Sequence, residues 1–295
     1  MTASNAQGGI LPRRTLGATG VELSVIGLGG IVLMGHDQAE ANRIVRSAVD
    51  RGLNYVDVAP SYGDGEAEEK TGPALVGLRD RIFLACKTAR RDRAGAREEL
   101  ERSLRRLRTD HLDLYQLHGL TSVDEVKQAC GPDGALQVLI DARERGETRF
   151  LGFSAHSQEA ALAAMEAFPF DTVLFPLNWA SWQVGNFGPR VVEAARSRNM
   201  GILALKAMAY RPWPEGAEHT VPKAWYEPIS DPELAGLALR FTLSLPVTAA
   251  IPPGDVRFFE MALATRDLTR PLTPEETARL SEAAAAITPL FAQAS

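Results

Sequence analysis

The chain has 295 residues, 45% apolar and 23% charged, which is ample material for the core of one large α/β domain. A formal net charge of −5 gives no electrostatic pull toward nucleic acid or an anionic membrane, and neither is expected as a partner. Two cysteines, Cys86 and Cys130, make no disulfide framework, which fits a reducing cytoplasm.

Residues 1–12 are expected to be flexible. Arg13-Arg14 ahead of the apolar run 25–33 faintly resembles a twin-arginine export signal. Glu22 interrupts any apolar leader and cleavage would remove a strand, so the run is expected to stay as the first strand. Residues 15–23, with Gly17 and Gly20, read as a small hairpin closing a barrel floor. Short apolar runs then alternate with amphipathic helical patterns, the signature of parallel βαβ units. Strands are predicted at 25–30, 53–57, 81–87, 111–117, 148–154, 172–177, 201–206 and 247–251. Helices are predicted between them at 39–51, 66–75, 94–107, 136–145, 158–167, 189–198 and 232–243, and after the last strand at 256–265 and 275–286. Thr273 reads as the N-cap of the terminal helix, with Pro274 at its first position and Glu276 completing a capping box. No stretch approaches the ~20 apolar residues of a membrane span.

Eight strand–helix repeats without a linker predict one (β/α)8 TIM barrel over 1–295, with a short N-terminal hairpin and an extra C-terminal helix. A doubly wound sheet is the alternative, but it would carry fewer strands and a stronger glycine fingerprint. The irregular stretch 207–230 holds Trp213, Trp225 and Tyr226, and reads as a long pocket loop, either lid or wall. Met34, Trp179, Trp182 and Phe187 follow strand ends and are further candidate walls. The arginine-rich segment 90–108 alternates with Glu98, Glu99 and Glu101, so it reads as a solvated helix face.

Four polar residues stand out. Asp57, Lys87 and His118 end three successive strands, 30 and 31 positions apart, and Tyr62 follows Asp57 by five. A βαβ unit takes roughly 30 residues, so the three crown the same ends of neighbouring strands, where active sites of such barrels sit. Strand alternation places Phe83, Ala85 and Lys87 on the inner face and Cys86 among the helices as inert packing. By the same rule Leu53, Tyr55 and Asp57 face inward, as do Leu112, Leu114, Gln116 and His118. A buried lysine and aspartate in one cavity should pair. The nearby ammonium is expected to push the Tyr62 pKa down, fitting it to protonate a carbonyl oxygen near neutral pH, with His118 orienting that carbonyl. No metal is expected: Asp57, His118 and His156 lack metal-ligand spacing, and the Lys87 ammonium opposes a cation.

The segments Asn54–Gly63, Cys86-Lys87-Thr88, Asp110–His118, Leu151-Gly152-Phe153-Ser154 and Leu16–Gly20 resemble those of the aldo-keto reductases, and the resemblance runs from about Arg13 to Ala264. It implies a barrel that binds NADP(H) extended across the strand ends without a Rossmann domain. It further implies Tyr62 as proton donor, Lys87 and Asp57 as tuners of its pKa, and His118 as the group that binds and polarises a small-molecule carbonyl.

On the cofactor side, the resemblance brings forward Gly30, Ile31, Ser154, Asn178, Lys206, Gly254 and Arg257. The cluster Gly27-Leu28-Gly29-Gly30 is read as letting the first strand approach the cofactor or the four polar residues closely. The chain departs from the family at three places. Ala155 stands where an asparagine follows the serine, Lys206 where an aromatic ring commonly stacks on nicotinamide, and Asp255 in a loop that usually carries basic residues. Asn178 is the candidate replacement for the missing amide, and Arg257 is the candidate grip for a 2′-phosphate. NADP(H) is therefore expected ahead of NAD(H), with reduction of an aldehyde or ketone as the leading function. The alternative is a barrel with weakened or lost nicotinamide binding, acting as a nucleotide-binding regulatory protein or as a cofactor-free lyase or isomerase. Nothing in the sequence specifies an oligomeric state.

Overall fold

A computed structural model describes residues 10–293, so most of the start expected to be flexible, residues 1–9, lies outside it. Within 10–12, Leu11 is buried and its amide donates to Arg51 O at 2.8 Å. The chain then forms an antiparallel pair, Arg13–Thr15 with Glu22–Ser24, as expected of the floor hairpin. Leu16 and Leu23 of this hairpin plug the barrel bottom. Gly17 makes the plug possible: its φ is +50°, and a β-carbon there would lie 2.2 Å from Gly201 N.

Eight parallel strands follow: Leu28–Gly29, Tyr55–Asp57, Phe83–Thr88, Leu112–Leu120, Thr148–Ala155, Thr172–Pro176, Gly201–Leu205 and Ala249–Ile251. They pair in chain order, and a bridge between Ile26 and Ala250 joins the last to the first. The result is the (β/α)8 barrel that the strand–helix alternation predicts. Alternation sorts the side chains. Tyr55, Phe83, Ala85, Leu114, Leu174, Leu203 and Ala249 fill the interior. Val56, Leu84, Cys86, Tyr115 and Phe153 face the helices, and burial holds the Cys86 thiol pKa well above normal. Leu53 and Leu112, expected inside, pack with the outer cluster at the strand starts.

Helices begin where a short polar side chain satisfies a free amide. Asp37, Asp92, Ser122, Ser157 and Asp231 each accept from a backbone N–H in the first turn. The terminal helix Pro274–Ala285 has the expected capping box, Thr273 with Glu276. The 90–108 segment contains the helix Arg93–Leu107, whose Arg97 pairs with Glu101 and Glu147. Two helices were not predicted, Val123–Cys130 and Trp179–Gln183, and the 207–230 stretch holds an antiparallel pair, Ala209–Pro212 with Tyr226–Pro228. Among the described residues no helix is long and apolar enough to cross a membrane.

Candidate active site

Asp57, Lys87 and His118 do come together at the C-terminal mouth of the barrel, and Tyr62 joins them from the turn after the second strand. All four line one cavity of about 200 Å³. The turn launches Tyr62 through backbone that most residues avoid: Gly63, Asp64 and Gly65 all have positive φ, at 59°, 51° and 101°. At φ +101° Gly65 sits in backbone that L side chains rarely adopt, which favours glycine there.

Lys87 organises the group. Its ammonium donates to an Asp57 carboxylate oxygen, to Val58 O at 3.1 Å and to the Tyr62 hydroxyl at 3.4 Å. Its three donors are thereby used. Asp57 is held on its other oxygen by Gln116 Nε2 at 3.2 Å and by the Tyr55 hydroxyl at 3.3 Å. Both supports lie inside the barrel, below the mouth. Gly27 makes room for one of them, since a β-carbon there would lie 2.4 Å from the Tyr55 ring. Gly27 thus serves the polar group through Tyr55, while Gly29 lines the cavity itself. Gly30 packs on Val58 and does not reach the cavity.

The protonation states follow from burial set against neighbouring charge. Burial is the largest single influence on Lys87 and would discharge it, but the charge and hydrogen bond of Asp57, with Tyr62, together outweigh it and keep the lysine charged. Tyr62 corrects the sequence reading. Burial raises its pKa more than the Lys87 ammonium lowers it, and Asp57 adds to the rise, so the phenol keeps its proton. Burial, then the Lys87 charge, holds the His118 pKa well below normal, so its imidazole is neutral. The His118 ring meets Tyr62 edge-on, with centroids 5.6 Å apart, and its Nδ1 lies 3.5 Å from Ser61 Oγ. The arrangement offers a carbonyl oxygen one phenol proton and one neutral imidazole, over a charged lysine.

The cofactor candidates divide. Ile31, Ser154, Lys206 and Gly254 line the cavity. Ser154 Oγ accepts from Gly119 N at 2.7 Å, which leaves its proton for a ligand. Asn178 does not face the cavity. Its Nδ2 donates to Lys206 O and Ala209 O, and its Oδ1 accepts from the amides of Ala180 and Ser181, so no hydrogen-bonding capacity is left for a nicotinamide. Arg257 lies outside the cavity, with its guanidinium on Asp255 at 2.9 Å. Ala155 is buried in the outer cluster.

Sequence reasoning missed Lys223, which donates to Ile31 O, Val32 O and Met34 O and ties the 207–230 loop across the mouth. A lysine in an irregular loop carries no signal of that kind. The expected walls Met34, Trp179, Trp182 and Phe187 do not line the cavity; Trp225 and Tyr226 of the same loop do, with Leu174, Leu205 and Ile251. A serine donor and two aromatic rings at the mouth fit the nicotinamide end of a dinucleotide.

A family model described as the aldo/keto reductase family matches residues 25–216. Aldo-keto reductase YhdN of Bacillus subtilis (strain 168) is 34% identical over 177 residues, 54% of this chain and 52% of the relative. L-galactose dehydrogenase of Arabidopsis thaliana is 26% identical over 212 residues, covering 66% of this chain and 65% of the relative. The chain thus spans about half the length of the Bacillus relative it matches. Among solved structures, the holo form of an aldo-keto reductase from Bacillus halodurans superposes with a TM-score of 0.73, at 24% identity, over 92% of this chain and 96% of that one.

Proposed function

The chain belongs to the aldo/keto reductase family, and on that premise we propose that it reduces an aldehyde or ketone to an alcohol, with Tyr62 as proton donor. The cofactor, when bound, supplies a hydride to the carbonyl carbon. His118, neutral, donates a hydrogen bond to the carbonyl oxygen and orients it toward Tyr62. Tyr62 accepts from Lys87, so its own proton points away from the ammonium and toward the cavity. As negative charge grows on the substrate oxygen, that proton crosses, and the phenolate left behind faces the Lys87 ammonium. Asp57, gripped by Tyr55 and Gln116, keeps Lys87 charged and in place.

The observation that carries the proposal is the complete use of Lys87's donors on Asp57, Val58 O and Tyr62. NADP(H) is proposed ahead of NAD(H). Arg257 sits in the first turn of the helix Val256–Ala264, where releasing Asp255 would free its guanidinium for a 2′-phosphate. Consumption of NADPH against a panel of small aldehydes, with Tyr62→Phe as control, tests the reading.

A second reading keeps the fold without turnover, as a barrel that binds nucleotide and regulates. The engaged amide of Asn178 and the Arg257–Asp255 pair favour it. Saturable nucleotide binding with no aldehyde reduction is its outcome.

A further inference from the structure

Lys206 enters the cavity against the run of its own strand. Leu203 and Leu205 pack with the barrel interior, so strict alternation would send the next side chain outward. Instead the backbone turns left-handed at Lys206, with φ +66°, and the side chain lines the cavity. A residue other than glycine adopts that conformation only at an energetic cost. Asn178 holds the turn, donating to Lys206 O at 3.1 Å and Ala209 O at 2.8 Å.

The ammonium at the end of this strained residue lies 5.3 Å from the Trp225 ring centre and 4.9 Å from that of Tyr226. Two ring faces stabilise a cation only in part. Among the described residues Lys206 has no carboxylate partner and no hydrogen-bond acceptor for its Nζ. Burial, with the Lys87 charge beside it, lowers its pKa to about 8, as befits a cation missing its anion.

We infer that Lys206 is the specificity residue of the site and seats a carboxylate carried by the carbonyl substrate, so that small oxo-acids are the preferred class. This rests on the reductase reading above. The position argues for the substrate over the cofactor's phosphates. The Lys206 charge acts on His118 and His156, on the tetrad side of the cavity. Lys223 stands at the other rim, with the Ile31–Met34 carbonyls and the Asp255 charge, where the glycine turn at Gly254 lies. The ammonium beside the reacting groups therefore belongs to the reacting molecule. A cavity of about 200 Å³ suits a compact substrate of that kind.

The experiment compares kcat/KM for 4-oxobutanoate and butanal in the wild type, Lys206→Met and Lys206→Arg. A charge-assisted hydrogen bond supports a preference of about tenfold or more for the oxo-acid in the wild type. Lys206→Met should bring the ratio near one, and Lys206→Arg should retain it. Equal use of both aldehydes by the wild type, or a ratio unchanged in Lys206→Met, overturns the assignment while leaving the reductase reading intact. A fall in NADPH affinity in Lys206→Met with the substrate ratio unchanged gives Lys206 to the cofactor and also overturns it. Butanoate, which is not reduced, supplies the readout without turnover. It should quench tryptophan fluorescence saturably in the wild type and not in Lys206→Met. If it does so while neither aldehyde is reduced, the reductase reading fails and the carboxylate seat stands.

Discussion

Lys87 reaches the Tyr62 hydroxyl from below at 3.4 Å, and that one contact fixes the direction in which Tyr62 can give its proton. A phenol oxygen accepting from an ammonium must send its own hydrogen elsewhere, and the cavity lies on the open side. Burial keeps that hydrogen in place in the resting site; in the proposed reaction, charge growing on a substrate oxygen would draw it out.

Tyr62→Phe removes the proton and little else. Turnover should fall by roughly 10²–10⁴-fold, the usual contribution of a positioned general acid. The NADPH dissociation constant, followed by fluorescence, should stay within about twofold of the wild type, since 1.4 kcal/mol would be needed for tenfold. Equal turnover by the variant removes Tyr62 as donor.

The Asp57–Lys87 pair should behave as one unit in stability. Both groups are buried, at 2% and 1% exposure. Lys87→Met leaves an uncompensated carboxylate and should cost about 3–5 kcal/mol in urea unfolding. Asp57→Asn combined with Lys87→Met should recover much of that loss. Costs that simply add would mean the pair is not coupled.

Gly27→Ala tests the support beneath the site. Its β-carbon would lie 2.4 Å from the Tyr55 ring, which must then move and loosen its hydroxyl from Asp57. A loss of about 1–3 kcal/mol is expected, as for overpacked cores, together with a fall in kcat. A variant with wild-type unfolding and wild-type kcat contradicts the contact.

Much of this was legible in the sequence because it is periodic. Strand alternation placed Tyr55, Phe83, Ala85 and Leu114 inside and Cys86 outside, and unit spacing brought Asp57, Lys87 and His118 to one rim. What local pattern does not encode was lost. The helix Val123–Cys130 went unpredicted even though Ser122 and Glu125 stand three residues apart, because the segment between is too short for a periodic signal. The Tyr62 pKa came out in the wrong direction, since the lysine is visible in sequence and the burial that outweighs it is not. Asn178 looked like a ligand-facing amide, and only three-dimensional contacts reveal it as a helix cap that pins the Lys206 turn.

Half-buried His156 should make the fold acid-sensitive. Unfolded histidine titrates near ~6.5, whereas burial and the Lys206 charge depress His156 to about 4. Between those values the unfolded chain binds a proton that the folded chain does not, so stability falls on acidification through that window. His156 alone should account for a loss on the order of 3 kcal/mol by about pH 4. His156→Gln should flatten the dependence of Tm on pH over that range; an unchanged slope assigns the sensitivity elsewhere.

Label transfer from NADPH deuterated at the hydride position, with a small aldehyde and the purified protein, tests hydride delivery to the carbonyl carbon directly. Deuterium should appear on the former carbonyl carbon of the alcohol, one atom for each NADPH oxidised, and Tyr62→Phe should form that alcohol roughly 10²–10⁴-fold more slowly. NADPH left unoxidised across the aldehyde panel, or alcohol formed without label, would contradict that delivery.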